Sequence, residues 1–228
     1  ISNSINVIPT GLKLNRFAIE NKNEEIVNSI KDKYNLNDKF VISFIGRIAP
    51  EKSIDLLIDA MKDVVKARDD VVLLITGGGP QLDELKSLVK NDKLDEYIKF
   101  TGPQDSSLVP SYYQSADIFV SASLSETQGL TYIEAMACGL RVVCTDLPGI
   151  QPWMNASLPE HAVHFVKPPE MRNADEPLEE ELPVFEKRLA EAILAVKEMK
   201  IPKVEDIQKL SWDGLCHTCV QMFGHDIM

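Results

Sequence analysis

Short apolar runs alternate with amphipathic stretches through most of the chain. Phe40 to Ile45 (FVISFI) and Val71 to Thr76 (VVLLIT) are unbroken apolar runs, the pattern of strands buried on both faces of a parallel sheet. Between them, Ile54, Leu57, Ile58, Met61 and Val65 share one face at helical spacing, with Ser53 placed to cap a helix running to about Ala67. Gly77-Gly78-Gly79-Pro80 then breaks the chain and begins a helix to about Lys90 that turns Leu82, Leu85, Leu88 and Val89 inward. The alternation continues with a strand at Tyr97 to Phe100, a short helix at Leu108 to Ser115, and a strand at Asp117 to Ser121. A helix at Leu130 to Cys138 follows, then strands at Arg141 to Thr145 and Ala162 to Val166. Repeated strand–helix–strand units predict a doubly wound parallel α/β sheet with helices on both faces. Such sheets bind ligands at the carboxyl ends of their strands, so the loops after Ile45, Ile75, Phe100, Val120 and Cys144 are the ones to search.

The flanks read differently. Residues 1–12 are extended and end in the turn signal Pro9-Thr10-Gly11, and Glu24 to Tyr34 carries a weak helical pattern. Residues 168–183 are acidic and proline-rich, the composition of an exposed loop. Helices are expected over about 184–199 and 204–223. The second carries Leu210, Trp212, Leu215, Val220, Met222 and Phe223, more apolar surface than a solvated terminal helix needs, so it must dock. The whole of 1–228 reads as one domain with a core over about 5–200 and a terminal helix over 204–228.

Composition narrows the function classes. The 228 residues carry a formal net charge of −11, which repels nucleic acid and anionic lipid at long range. No apolar run approaches the ~20 residues needed to span a bilayer, and the chain opens on Ile1 without a methionine, as expected of a piece of something longer. Cys138 and Cys144 sit in apolar surroundings and read as core. Cys216 and Cys219 form a single C-x-x-C in a helical stretch beside His217, with no second pair to complete a zinc site, so no metal is expected there. Few cysteines and no disulfide framework point to a cytoplasmic location.

Three loops carry candidate chemistry. In Gly46-Arg47-Ile48-Ala49-Pro50-Glu51-Lys52, Gly46 allows close backbone approach to a ligand, Arg47 offers a forked donor set matched to phosphate oxygens, and Lys52 adds a point charge. Two solvated surface charges would give the same pattern. The run Gly77-Gly78-Gly79-Pro80 suits either an anion cradle or a tight turn, and it matches neither the Walker A nor the G-x-G-x-x-G dinucleotide pattern. In Ser125-Glu126-Thr127-Gln128-Gly129-Leu130-Thr131-Tyr132-Ile133-Glu134, a glycine-containing loop enters a helix whose free N–H groups and dipole favour an anion. Glu134 lies eight residues after Glu126 beside Ala135, Met136, Ala137 and Cys138. A carboxylate there needs a hydrogen-bond partner unless it faces solvent, and sugar hydroxyls would serve.

These residues resemble the motifs of one family. Glu126-x7-Glu134 with Gly129-Leu130 between is similar to the E-x7-E motif of GT4-type, GT-B retaining glycosyltransferases. Gly46-Arg47 with Glu51-Lys52 resembles their G-R-x-x-x-E-K, Val7-Ile8-Pro9-Thr10-Gly11 the V-I-P-N-G that opens their C-terminal half, and Ser211-Trp212 the S-W of their returning helix. The resemblance is clear over about residues 5–150, and Ser-Glu-Thr-Gln-Gly-Leu is similar to the variant in bacterial diacylglycerol glucosyltransferases. It implies a Rossmann-like nucleotide-sugar-binding half, with Arg47 and Lys52 neutralising the donor diphosphate and N–H groups near Gly129, Leu130 and Thr131 holding the distal phosphate. It further implies Glu126 with Thr127, Gln128 and Gly129 on sugar hydroxyls, Glu134 on the ribose, Lys99, Phe100 and Thr101 reading the base, and Gly78 close to the diphosphate. The implied donor is a UDP-sugar, with UDP-glucose preferred. No metal or other cofactor is implied, and the partner is an N-terminal domain of the same full-length chain. Ser53 and Thr10 depart from the family's Gly and Asn, and the chain after Pro148-Gly149 departs more widely. The alternatives are a non-catalytic nucleotide-binding or scaffold module and, more remotely, a sugar-phosphate epimerase, although His161 and His164 lie off the loops that would form its site.

Overall fold

The computed structural model describes residues 10–158, 162–173, 176–196, 201 and 203–224, without the side chains of 156, 218 and 221–224. Six strands, β1 (Phe40–Ile45), β2 (Val71–Thr76), β3 (Ile98–Gly102), β4 (Ile118–Ser121), β5 (Arg141–Thr145) and β6 (Val163–Val166), form one parallel sheet in the order β3-β2-β1-β4-β5-β6. The apolar runs become strands because both faces are covered. Ile42 and Phe44 enter one core cluster and Val41 and Ile45 the other, and Leu73 and Val72 divide in the same way.

One face is covered by α2 (Ile54–Ala67), α3 (Leu82–Asn91) and α7 (Leu182–Leu194), the other by α1 (Glu24–Tyr34), α4 (Val109–Gln114), α5 (Leu130–Ala137), α6 (Gln151–Ser157) and α8 (Val204–Gln208). A last helix, α9 (Trp212–Gly224), follows α8. Local chemistry sets several ends. The Asn23 side chain accepts from the Ile26 N–H at 3.2 Å and caps α1, which terminates at Asn35 in the left-handed region.

The structure differs from the sequence reading in several places. Ser53 precedes α2 as expected but makes no side-chain cap. It sits at φ 46°, ψ 46°, a left-handed conformation that the glycine usual at this position would adopt without strain. The third strand begins one residue later than expected and runs to Gly102. Helix α6 was not expected, because Pro152 near its start and polar residues within it hide the helical period.

The helix expected over 204–223 is broken into α8 and α9. Ser211 leaves the helical path to bridge Leu12, with the Leu12 N–H bonding the Leu210 carbonyl and the Trp212 N–H the Leu12 carbonyl, each at 3.3 Å. Its hydroxyl then accepts from the Gly214 N–H at 3.0 Å and restarts the chain as α9. Ile207, Leu210 and Leu215 are buried, whereas Trp212 and Val220 remain 50% and 67% exposed, so among the described side chains the expected docking is made by the first three and not by the last two.

The described residues of the acidic stretch 168–183 are mostly exposed or half-buried, as expected of a loop, but they include some regular structure. Met171 bridges Pro177, Glu179–Glu181 forms a turn of 3₁₀ helix, and Leu182 opens α7 two residues before the expected start. Val7, Ile8, Pro9, His161 and the expected end of α7 at 199 lie outside the described residues.

Candidate functional site

The strand order reverses between β1 and β4. The chain leaves these two neighbours toward opposite faces of the sheet, and their loops splay apart to leave a crevice at the carboxyl edge. Two of the three sequence-predicted loops meet there. A cavity of about 220 Å³ is lined by Phe44, Ile45, Gly46, Arg47 and Lys52 from the β1 side. Ser121, Glu126, Thr127, Gln128, Leu130 and Thr131 line it from the β4 side.

At its wall the Lys52 ammonium donates to Glu126 Oε2 at 2.7 Å, with both side chains mostly shielded from solvent. Burial opposes the charge on Glu126. The Lys52 ammonium and the N–H groups of Thr127 and Gly129 outweigh it and hold the carboxyl below its ordinary range. Arg47 is paired with Glu51 in the same loop, and both are far more exposed. Gly129, at φ 61°, turns the chain into α5, and a Cβ there would fall 2.5 Å from the buried Tyr132 ring. As the first N–H groups of a helix, those of Leu130 and Thr131 have no intrahelical acceptor, and both residues line the cavity.

The remaining predicted residues lie elsewhere. Gly78 belongs to a run that packs backbone against backbone under the Arg47 loop. The Ile48 N–H bonds the Gly78 carbonyl at 2.9 Å, and Cβ atoms on Gly77 and Gly79 would come within 1.9 and 2.0 Å of the Gly46 and Ile48 carbonyl oxygens. The glycines are therefore required to seat the Arg47 loop, and they do not line the cavity. Lys99, Phe100 and Thr101 are on the edge strand β3, two strands from β1, or ~10 Å across the sheet. Lys99 bonds the Asp95 carbonyl, Phe100 packs on the core, and the Thr101 carbonyl accepts from Gln104 at 2.8 Å.

Glu134 is also outside the cavity lining. The eight residues from Glu126 span a loop and a helix start, so the two carboxylates do not share a helix face. Glu134 instead meets the hydroxyl of Tyr113, which donates to its Oε2 at 3.1 Å. Burial raises the Glu134 carboxyl above its ordinary range, against the opposing effects of Tyr113 and of the nearby Arg16. Sequence patterns did not mark Tyr113, Arg16, Phe44 or Ser121, because each acquires its neighbour only through the fold. Cys138 and Cys144 are buried as expected, with burial pushing both thiols up, and Cys216 is exposed.

The sequence profile of the family described as Glycosyl transferases group 1 matches residues 27–158, more than half of the chain and both loops of the cavity. The chain belongs to this family. Over 144 residues the glycosyltransferase domain is 39% identical to the alpha-monoglucosyldiacylglycerol synthase of Streptococcus pneumoniae, covering 62% of this chain and 32% of that protein. It is 39% identical over 138 residues to the enzyme of the same name from Acholeplasma laidlawii, covering 60% and 35%. The aligned region thus spans about a third of these curated relatives.

The crystal structure of Anabaena Alr3699/HepE in complex with UDP and glucose superposes with a TM-score of 0.72 at 18% identity, over 96% of this chain and 56% of that one. A glycosyltransferase from Rickettsia africae gives 0.67 at 22% identity, with 96% and 56% covered. These likenesses establish the fold, one Rossmann-like half of the GT-B architecture of GT4-type enzymes, as the family motifs in the sequence implied.

Proposed function

We propose that this domain is the donor-binding half of a retaining glycosyltransferase. It holds UDP-glucose for transfer of glucose to a glycerolipid acceptor bound mainly by an N-terminal domain of the full-length protein. The observation that carries the reading is the convergence of Arg47, Lys52, Glu126 and the start of α5 on one cavity at the sheet's switch point. Glucose and the lipid acceptor rest on the names of the two relatives at 39% identity, and uridine on the UDP carried by the HepE structure.

In this reading Arg47 and Lys52 take the diphosphate, and the N–H groups of Leu130 and Thr131, just past the turn at Gly129, take its distal phosphate. Negative charge gathers on that phosphate as the glycosidic bond breaks, and cations already in place lower the barrier. Glu126, with Thr127 and the Gln128–Gly129 backbone, receives sugar hydroxyls. Glu134 receives the ribose, the Lys99–Thr101 backbone meets the base, and Gly78 contributes by seating the Arg47 loop beside the diphosphate. The two cations do the work that a divalent ion does in metal-dependent transferases, so chelators should leave binding unchanged. No helix among the described residues is long and apolar enough to cross a membrane, and a lipid acceptor would bring the full-length protein to a membrane surface, in this reading the cytoplasmic one.

Calorimetry with UDP, GDP and ADP tests the reading. UDP should bind, and Arg47→Ala should weaken it about tenfold, the loss expected for a charge-assisted hydrogen bond. A folded chain that binds none of the three would instead support a scaffold module.

A further inference from the structure

The hydroxyl of Tyr113, on α4, is shared between two acceptors, Glu134 Oε2 at 3.1 Å and the Thr131 carbonyl at 3.3 Å. Thr131 lines the cavity and Glu134 lies beyond it, so one phenol ties the cavity edge to the second carboxylate. The ring has no freedom to swing away. It is fully buried, with Phe17 edge-on at 6.2 Å and 70° and Phe119 tilted against it at 5.8 Å. Phenylalanine would fill the same space. A hydroxyl placed in that core costs free energy unless it is bonded, and the bonds it makes are to α5. Burial and the neighbouring Glu134 charge both push the phenol well above its ordinary range, so it remains a proton donor. Among the described residues no other hydrogen bond engages the Glu134 carboxylate, which feels Arg16 only as a nearby charge, and Oε1 is left available to a ligand hydroxyl.

We propose that Tyr113 is a positioning residue that aims Glu134 at the nucleotide's ribose and so sets the preference for a sugar bearing both hydroxyls. The inference rests on Glu134 receiving the ribose. With Oε2 fixed by the phenol, Oε1 is presented in one orientation, as a second-layer hydrogen bond fixes the ligand of a metal. The phenol touches no substrate and acts only through the carboxylate.

The test is calorimetry on the 228-residue chain with UDP and 2′,3′-dideoxy-UDP, comparing wild type, Tyr113→Phe, Glu134→Ala and the double variant. Wild type should prefer UDP. Tyr113→Phe should lose about five- to tenfold in UDP affinity with little change for the dideoxy nucleotide, and the double variant should be no weaker than Glu134→Ala alone. A purely structural role would weaken both nucleotides alike, and that result would overturn the inference. Retention of the full preference by Tyr113→Phe would also overturn it while leaving Glu134 on the ribose. Equal binding of both nucleotides by wild type would remove the ribose reading and the inference together. Phe17→Leu loosens the ring without touching the hydroxyl. It should lower the preference in the same direction by about two- to threefold, and an unchanged preference there would count against Tyr113 even if Tyr113→Phe failed to fold.

Discussion

Lys52 and Glu126, 74 residues apart in sequence, close an ion pair of 2.7 Å across the crevice between the β1 and β4 loops. Lys52 helps to hold the Glu126 carboxyl in its charged form at the place where a diphosphate and a sugar would meet. Lys52→Ala should therefore weaken UDP binding about tenfold or more, through the lost cation and the unpaired carboxylate left behind. Glu126→Gln should affect UDP much less, because its assigned partner is the sugar. Its loss should appear in the gain of affinity from UDP to UDP-glucose, measured by calorimetry.

Arg47 is held by Glu51 in an exposed pair that a diphosphate must compete with. Such pairs are worth ~0–1 kcal/mol. Glu51→Gln should free the guanidinium and tighten UDP binding about two- to fivefold at low salt, with the gain shrinking as salt rises. Weaker binding at every ionic strength would show that Glu51 orients Arg47 and does not compete for it.

The two carboxylates of the motif should respond to pH with opposite signs. Burial, partly offset by Tyr113 and Arg16, holds Glu134 above its ordinary range, so its ionised form costs stability at neutral pH. That cost disappears as pH falls through the raised value toward the unfolded one. Glu134→Gln should melt higher than wild type at pH 7 and lose the advantage on acidification. Glu126 is the reverse. Burial opposes its charge, but Lys52 and the backbone bring it below the ordinary range, so its ionised form stabilises above the unfolded value and the benefit is lost as pH falls through the folded one. Glu126→Gln should melt roughly 2–4 °C lower at neutral pH, and the difference should vanish in acid. Thermal melts from pH 3 to 8 read both signs.

Backbone strain gives a further pair of outcomes. Ser53 pays ~1 kcal/mol for its left-handed conformation and makes no cap in return. Ser53→Gly recovers that cost less ~0.5 kcal/mol of unfolded-state entropy, for a rise of about 1–2 °C in melting temperature. Gly129→Ala should do the opposite, costing ~2–3 kcal/mol by combining a positive φ with the clash on Tyr132. It should also weaken UDP binding, because the start of α5 must shift.

The alternation of apolar runs and amphipathic stretches was enough to predict the sheet. Strands β1, β2 and β5 fall on the residues the pattern marked, because a strand buried on both faces must be apolar throughout. The loops with Arg47, Lys52 and Glu126 were legible for a related reason, since polar groups at the carboxyl ends of such strands interrupt an otherwise apolar text. What the sequence left open was whether the glycine run lines the site or supports it. That depended on how closely Gly77 and Gly79 approach the Gly46 and Ile48 carbonyls, a distance between segments some thirty residues apart. The neighbour of Glu134 was equally hidden, because helix periodicity shows which side a residue occupies and not which helix comes to face it. The break at Ser211 belongs to the same class. Residues 204–223 satisfy a helical period by themselves, and only the returning Leu12, some two hundred residues away in the chain, supplies the backbone partners that divide them. Local pattern thus determined the elements and the charges at their ends. The tertiary structure decided the pairings, because these depend on contacts between segments that no local period records.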